Sequence, residues 1–405
     1  MYWNFIKKKQ MFAAVAGFTL FISSALSAPA FQETGFEKWK LQQGREHQQK
    51  INEFDAYRSE IKASFKEYSR KTAEIWGRNN TLPNKKNWLS YIDSINQRSI
   101  VDFESGLINV EVALPVQQNV GDEQGKKQLE DVLLKAMKLG DDKRPIQQFA
   151  EQPISQPEPG AVLKGLISLP DGEVAKNGDY KTLAREAAKN ASKKMIRGKD
   201  GELRVIYSAQ LNLVPDHIRI RARKYQPLID EYATKNQLPV ALVFAVIETE
   251  SMFNPTARSG APAFGLMQLV PTSGARDAYR YLYKKDKVVS DTYLYDPENN
   301  IRLGSAYLYR LNTHYFTGID SDQSRMLATI AAYNTGAGNV FRSFSGKYNR
   351  ARFGNYSNYK KAALREINKR SPEQVYQFLH RHLPYRETRD YIKKVTERMD
   401  RYVAG

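Results

Sequence analysis

Eight consecutive apolar residues, Val240 to Ile247, run directly into Glu248-Thr249-Glu250-Ser251. Pro239 can open a helix at its first turn, and Asn254-Pro255 stops it because the ring cannot continue the hydrogen-bond ladder. A helix that is apolar on every side has to be buried on every side. The chain must therefore surround this segment with other elements, and its polar end becomes the point of interest. Apolar neighbours disfavour a charged carboxyl there, and so does the negative end of the helix dipole. Both raise a carboxyl pKa, as a group that donates a proton near neutral pH requires. The same residues also fit a solvated helix end. Helical geometry does not choose between the acids, because Glu250 extends the Val243, Val246, Ile247 stripe and Glu248 extends Ala241, Phe244, Ala245. At ~100° per residue the two point to nearly opposite sides, so they are not an acid/base pair at one bond.

The surrounding chain divides in two. Its 405 residues exceed what one core usually organises, and 41% hydrophobic residues are enough to exclude a disordered protein. From about Phe31 to Tyr91 the pattern is polar and helical, fitting two helices broken near Asn79-Asn80-Thr81-Leu82-Pro83. Ile100 to Phe103 and Leu107 to Val112 read as a hairpin around Glu104-Ser105-Gly106. A helix is expected over Lys126 to Leu139, a Pro-rich loop over Gln152 to Gly160, and strands over Val162 to Leu169 and Leu203 to Leu213. Between those strands lies a basic helical stretch, Tyr180 to Met195. Nothing strand-like follows Val214, and from Arg221 the pattern is helical nearly to the end. The fold expected is an α+β N-terminal domain over residues 31–210 followed by an α-helical domain over residues 211–405, with the junction near residues 205–220.

Residues 1–30 read as a secretory signal: Lys7-Lys8-Lys9, the apolar run Met11 to Leu26, then Ser27-Ala28-Pro29-Ala30. The run is shorter than a spanning helix wants, and a retained, uncleaved anchor is the alternative. The chain has no cysteine, which excludes disulfides, cysteine nucleophiles and thiolate metal sites, and also a lipoprotein anchor. Five scattered histidines show no metal-binding spacing, so neither metal nor cofactor is expected. With 62 Lys+Arg against 44 Asp+Glu, the formal charge of +18 favours polyanionic partners. An exported basic protein meets envelope polymers; no basic-aromatic motif for nucleic acid is present.

Three further motifs follow the apolar helix. Ser259 to Gln268 includes Gly265-Leu266-Met267-Gln268, in which glycine permits close backbone approach and Met267 with Gln268 offers one apolar contact and one amide. A turn leading into a core helix would have the same composition. Ile330 to Gly338 carries Ala332-Tyr333-Asn334 ahead of a Gly-x-Gly turn, suited to a helix ending at a cleft wall. Leu383 to Tyr391 carries Pro384-Tyr385 and Glu387-Thr388-Arg389, with Tyr391 one turn past Glu387.

Glu250-Ser251, Gly265 to Gln268, Ala332 to Asn334 and Pro384 to Tyr391, in this order, resemble the lytic transglycosylases of the soluble-lytic (SLT) type. The resemblance covers about Arg221 to Val403. More narrowly, the whole chain resembles the family of membrane-bound lytic murein transglycosylase C, which places a smaller α+β domain before its catalytic part. It departs from that family's lipoprotein habit in lacking the cysteine. The resemblance implies a lysozyme-like (goose-type/SLT) helical fold with a long cleft, and it selects Glu250 as the catalytic residue, leaving Glu248 structural. It further implies that Ser251 orients the Glu250 carboxyl or a sugar substituent. Met267, Gln268, Tyr333 and Asn334 would line the cleft, with Tyr391 and Glu387 near the acid.

The reaction so implied is cleavage of the bond between N-acetylmuramic acid and N-acetylglucosamine in peptidoglycan glycan strands, with formation of a 1,6-anhydro end. Envelope or wall-synthesis proteins are possible further partners, and the periplasm is the expected location. Two alternatives remain: a lysozyme-type hydrolase on the same scaffold, and a non-catalytic peptidoglycan-binding protein.

Overall fold

The computed structural model describes residues 65–138, 163–259 and 263–404, with scattered positions between 52 and 63. The expected signal segment and the Pro-rich loop lie outside the described residues. The division into a sheet-bearing half and a helical half is as the sequence indicates.

In the first half a helix through residues 65–76 (α1) is followed by strands β1 (Asn87–Ile92), β2 (Ser94–Asp102) and β3 (Leu107–Pro115). Helices α2 (Asp122–Lys138) and α3 (Tyr180–Lys189) come next, then β4 (Ser192–Arg197) and β5 (Leu203–Asn212). The five strands form one sheet in the order β1-β2-β3-β5-β4, antiparallel at every step. Alternation along β3 decides what each face touches. Ile108, Val110, Val112 and Leu114 join Leu129, Leu133 and Ala184 of α2 and α3 in one core, whereas Ala113 joins Tyr68 and Trp76 of α1 in another. Trp76 is fully buried, donates from Nε1 to the Ile95 carbonyl at 2.8 Å, and has the Arg98 guanidinium 3.5 Å above its ring. The β2–β3 hairpin turns where expected. Asp102 Oδ1 accepts from the Glu104 and Ser105 amides, and Gly106 takes φ +72°.

Three expectations need correcting here. Residues 83–91 hold no second helix: Asn87–Ile92 is strand β1, which pairs with β2 and buries Leu89 and Tyr91 against α1. The basic stretch Tyr180 to Met195 is helical only to Lys189 and then becomes edge strand β4. Residues 163–169 form a turn with isolated bridges at Ile167 and Ser168, not a strand. Their apolar character comes from Leu163, Leu166 and Ile167 filling the core under the sheet. The helix expected from Lys126 begins at Asp122, where acids suit its positive end.

The second half opens with α4 (His217–Lys235) and the apolar segment, which is α5 (Val240–Ser251). Around α5 lie α6 (Gly274–Tyr283), α7 (Asp291–Tyr295), α8 (Pro297–Arg310), α9 (Asp322–Thr335), α10 (Ala337–Ser345), α11 (Arg350–Phe353), α12 (Tyr356–Asn368), α13 (Pro372–His382) and α14 (Arg386–Ala404). Leu242, Val243, Ala245, Val246 and Ile247 are wholly buried, as a helix without a polar face requires. Caps fix the outer helices: Asp296 accepts from the Asn299 amide with Pro297 beside it, and Ser371 forms a reciprocal pair with Gln374. The halves share side chains. Met252, just past α5, packs into the core beneath the sheet, and the Arg221 guanidinium lies 3.4 Å over the Phe103 ring.

Candidate active site

Glu250 stands in the last turn of α5 and is only 4% exposed. The chain leaves the helix through two left-handed residues, Met252 (φ 51°) and Phe253 (φ 58°). Met252 enters the core of the sheet half and Phe253 the core of the helical half, so the end of α5 is fixed from both directions. Burial pushes the Glu250 carboxyl above the ordinary carboxylate range. The Lys85 ammonium, 3.3 Å from Oε2, opposes that rise, while Glu387 adds to it. The net direction is upward.

Glu248 points the other way and is fully engaged. Its carboxylate accepts from Arg398 Nε at 2.9 Å, Arg401 Nη2 at 2.8 Å and Tyr402 Oη at 2.8 Å, which ties α5 to α14. The two acids that helical geometry could not rank are thus sorted by what surrounds them. One is clamped between arginines, and the other is buried against a single lysine.

The Tyr333 and Tyr391 phenols lie near Glu250. Burial and the nearby carboxylate raise both well above the usual phenol range. Tyr333 donates to the Met267 carbonyl at 2.8 Å. Among the described residues the buried Tyr391 hydroxyl has no hydrogen-bond partner of normal geometry, although it is close enough to feel the Glu250 carboxylate. Asn334 Oδ1 accepts from Thr388 Oγ1 at 2.7 Å, joining the end of α9 to the start of α14. Glu387 projects at the rim, with 73% of its side chain exposed.

Three expected cleft residues are placed otherwise. Ser251 is wholly buried and donates back to the Ile247 carbonyl at 3.1 Å, so its hydroxyl is engaged within the helix and not with Glu250. Met267 is wholly buried, and its thioether packs where Gly304 leaves room; only its carbonyl reaches the site, through Tyr333. Gln268 spends its amide on the Ala257 and Gly265 carbonyls, bracing the loop between α5 and α6. Gly265 takes φ +76° with Asn300 and the Leu294 carbonyl so close that no Cβ fits.

Sequence reasoning missed Lys85, Asn300 and Thr388. Wholly buried Asn300 accepts from the Met267 amide at 2.7 Å and donates to the Phe264 and Leu294 carbonyls, so one α8 side chain holds the Gly-Leu-Met-Gln turn. Lys85 reaches Glu250 from 165 positions away, and no local pattern marks it. Thr388 sits inside a motif already noted, where its pairing with Asn334 had no signal. A cavity of about 500 Å³ lined by Phe344, Phe353, Arg352 and Glu366 includes none of the residues around Glu250.

Residues 227–354 match the family model described as Transglycosylase SLT domain, and residues 49–224 match the N-terminal domain of membrane-bound lytic murein transglycosylase C. The chain is 34% identical over 337 residues to the membrane-bound lytic murein transglycosylase C of Klebsiella pneumoniae, covering 83% of this chain and 87% of that one. It is 32% identical over 337 residues to the protein of that name from Serratia proteamaculans, covering 83% and 88%. Among solved structures it is similar to the 70 kDa soluble lytic transglycosylase of Escherichia coli, with a TM-score of 0.34 and 18% identity, covering 72% of this chain and 47% of that one. Glu250, Gly265 to Gln268, Tyr333 and Asn334 fall inside the first matched segment and Lys85 inside the second; Glu387 and Tyr391 lie beyond both.

Proposed function

Since the chain belongs to the family of membrane-bound lytic murein transglycosylase C, we propose that it cleaves peptidoglycan glycan strands at the N-acetylmuramic acid–N-acetylglucosamine bond, leaves a 1,6-anhydro end, and uses Glu250 as both acid and base. The observation that carries this is the environment of Glu250: a buried carboxyl with raised pKa at the end of an apolar helix, held by both halves.

The carboxyl, protonated, donates to the glycosidic oxygen as the bond to the anomeric carbon breaks. The neighbouring N-acetyl group assists at that carbon. Glu250, now a carboxylate, takes the proton of the 6-hydroxyl of the same muramic acid, and that oxygen closes on the anomeric carbon. One carboxyl suffices because the nucleophile belongs to the substrate, where intramolecular attack gains high effective molarity. Tyr333 and Asn334 wall this site, Tyr391 offers a hydroxyl with no other partner, and Gln268 braces the loop that carries the Met267 carbonyl. The basic surface draws the enzyme to anionic envelope polymers, and the N-terminal basic-apolar-small order supports export to the periplasm.

Hydrolysis of the lysozyme type has one feature in its favour: Glu387 shares Lys85 with Glu250, so a second carboxylate stands nearby. Mass spectrometry of digested sacculi separates the two chemistries. Anhydro ends from the wild type and no turnover by Glu250→Gln are expected. Reducing ends would overturn the reaction, and full turnover by the variant would overturn the residue.

A further inference from the structure

To receive a proton, the leaving oxygen must come within hydrogen-bond reach of Glu250. In this structure Lys85 Nζ holds that position, 3.3 Å from Oε2, and the Glu250 side chain keeps only 5% of its exposure. Lys85 belongs to the stretch between the turn Gly77–Asn79 and β1, so the sheet half delivers it. Its backbone is anchored: Asn84 Oδ1 accepts from the Lys86 amide at 2.8 Å and the Asn87 amide at 3.0 Å, and Lys86 pairs with Glu104. Only the long side chain is left to swing. A second carboxylate already waits for it. Nζ lies 3.4 Å from Glu387 Oε1, on the rim of the site, nearly as close as to Glu250.

Resting on the reading of Glu250 above, we propose that Lys85 is a positioning residue with two stations. In the free enzyme it favours the charged form of Glu250 and fills the place of the leaving oxygen. As a glycan strand enters, it withdraws to Glu387, and Glu250 takes up one proton from solvent, the proton later given to the glycosidic oxygen. The titratable groups facing Glu250 are Lys85 before β1, Tyr333 on α9, and Glu387 and Tyr391 on α14. Lys85 alone among these brings positive charge; Arg398, near Tyr391, is committed to Glu248 and Thr249. The N-terminal half thereby acts on the chemistry: the protonated form of Glu250 is favoured once substrate displaces Lys85.

The test uses the pH dependence of cleavage of a short soluble glycan by the full-length protein. The alkaline limb of kcat/KM reports the free enzyme, and that of kcat the complex. In wild type the kcat limb is expected at higher pH than the kcat/KM limb. Lys85→Met moves the kcat/KM limb up by about one pH unit or more, toward the kcat limb, since an opposite charge at this distance lowers an acid's pKa by about 1–3. Lys85→Arg restores it. Glu387→Gln, which removes the outer station, moves the kcat/KM limb down and serves as an independent variant should Lys85→Met fail to fold. An unmoved limb in Lys85→Met, or kcat lost at every pH, overturns the proposal while an inactive Glu250→Gln leaves the role of Glu250 standing. Turnover by Glu250→Gln instead removes the reading beneath it.

Discussion

Replacing Glu248 with Gln separates the two acids of α5 by their energetics. The substitution keeps the shape and deletes the charge of a carboxylate only 3% exposed. Arg398, with 11% of its side chain exposed, then loses its counter-ion inside the protein. Arg401, 63% exposed, returns to water at little cost. Breaking a buried pair from one side costs about 3–5 kcal/mol, and an exposed pair contributes about 0–1 kcal/mol. The amide oxygen can still accept from one of the three donors, which lowers the loss to about 2–4 kcal/mol. For a body spanning Phe54–Gly405 each kcal/mol moves the melting temperature by about 1–2 °C, so Glu248→Gln should melt roughly 3–6 °C below wild type. Calorimetry beside a turnover assay well below that temperature tests it. The variant should be less stable yet active where folded, the reverse of Glu250→Gln. Stability within about 0.5 kcal/mol of wild type, or lost activity with an unchanged melt, would refute the assignment of Glu248 to structure.

Two further outcomes follow from the same geometry. Gly304→Ala places a methyl group against the Met267 thioether; overpacking there should cost about 1–3 kcal/mol, and because the Met267 carbonyl holds Tyr333, turnover should fall with it, readable by melting and kinetics on one preparation. The Glu250 carboxyl has a folded pKa above its unfolded value, so the folded state keeps the proton longer: stability is greatest below the unfolded pKa, declines as pH rises toward the folded pKa, and stays reduced beyond it. Glu250→Gln should therefore melt above wild type at about pH 8 and alongside it at about pH 3, and a parallel decline in both proteins would count against the raised pKa.

How much of this was legible depended on the range of the interaction concerned. The α5 helix, the β2–β3 hairpin and β5 could be read because burial and turning are written in neighbouring residues. Strands β1 and β4 could not. Lys193, Lys194 and Met195 are exposed on an edge, and Ile196 is the only buried residue of β4, so its period was too weak to interrupt a helical reading. At the site, the motif pointed to Glu250, but the placement of its neighbours depended on rotamers. Ser251 adjoins Glu250 in sequence yet bonds behind it, and Met267 lies within a recognisable turn yet packs inward. Lys85 and Asn300 had no local signature, because each acts on a segment far away in the chain.

The order in which the chain is made sets when each half can close. Strand β3 finds its inner partner only in β5, with Leu107 opposite Asn212, so the first half stays an incomplete ribbon until nearly all of it has emerged. The second half waits longer still, since Glu248 meets Arg401 across 153 positions of the chain. Both assemble through distant partners, which slows folding and prolongs the exposure of apolar surface. A chain cut before Arg398 has the sheet in place but lacks both arginines that tie α5 to α14 through Glu248.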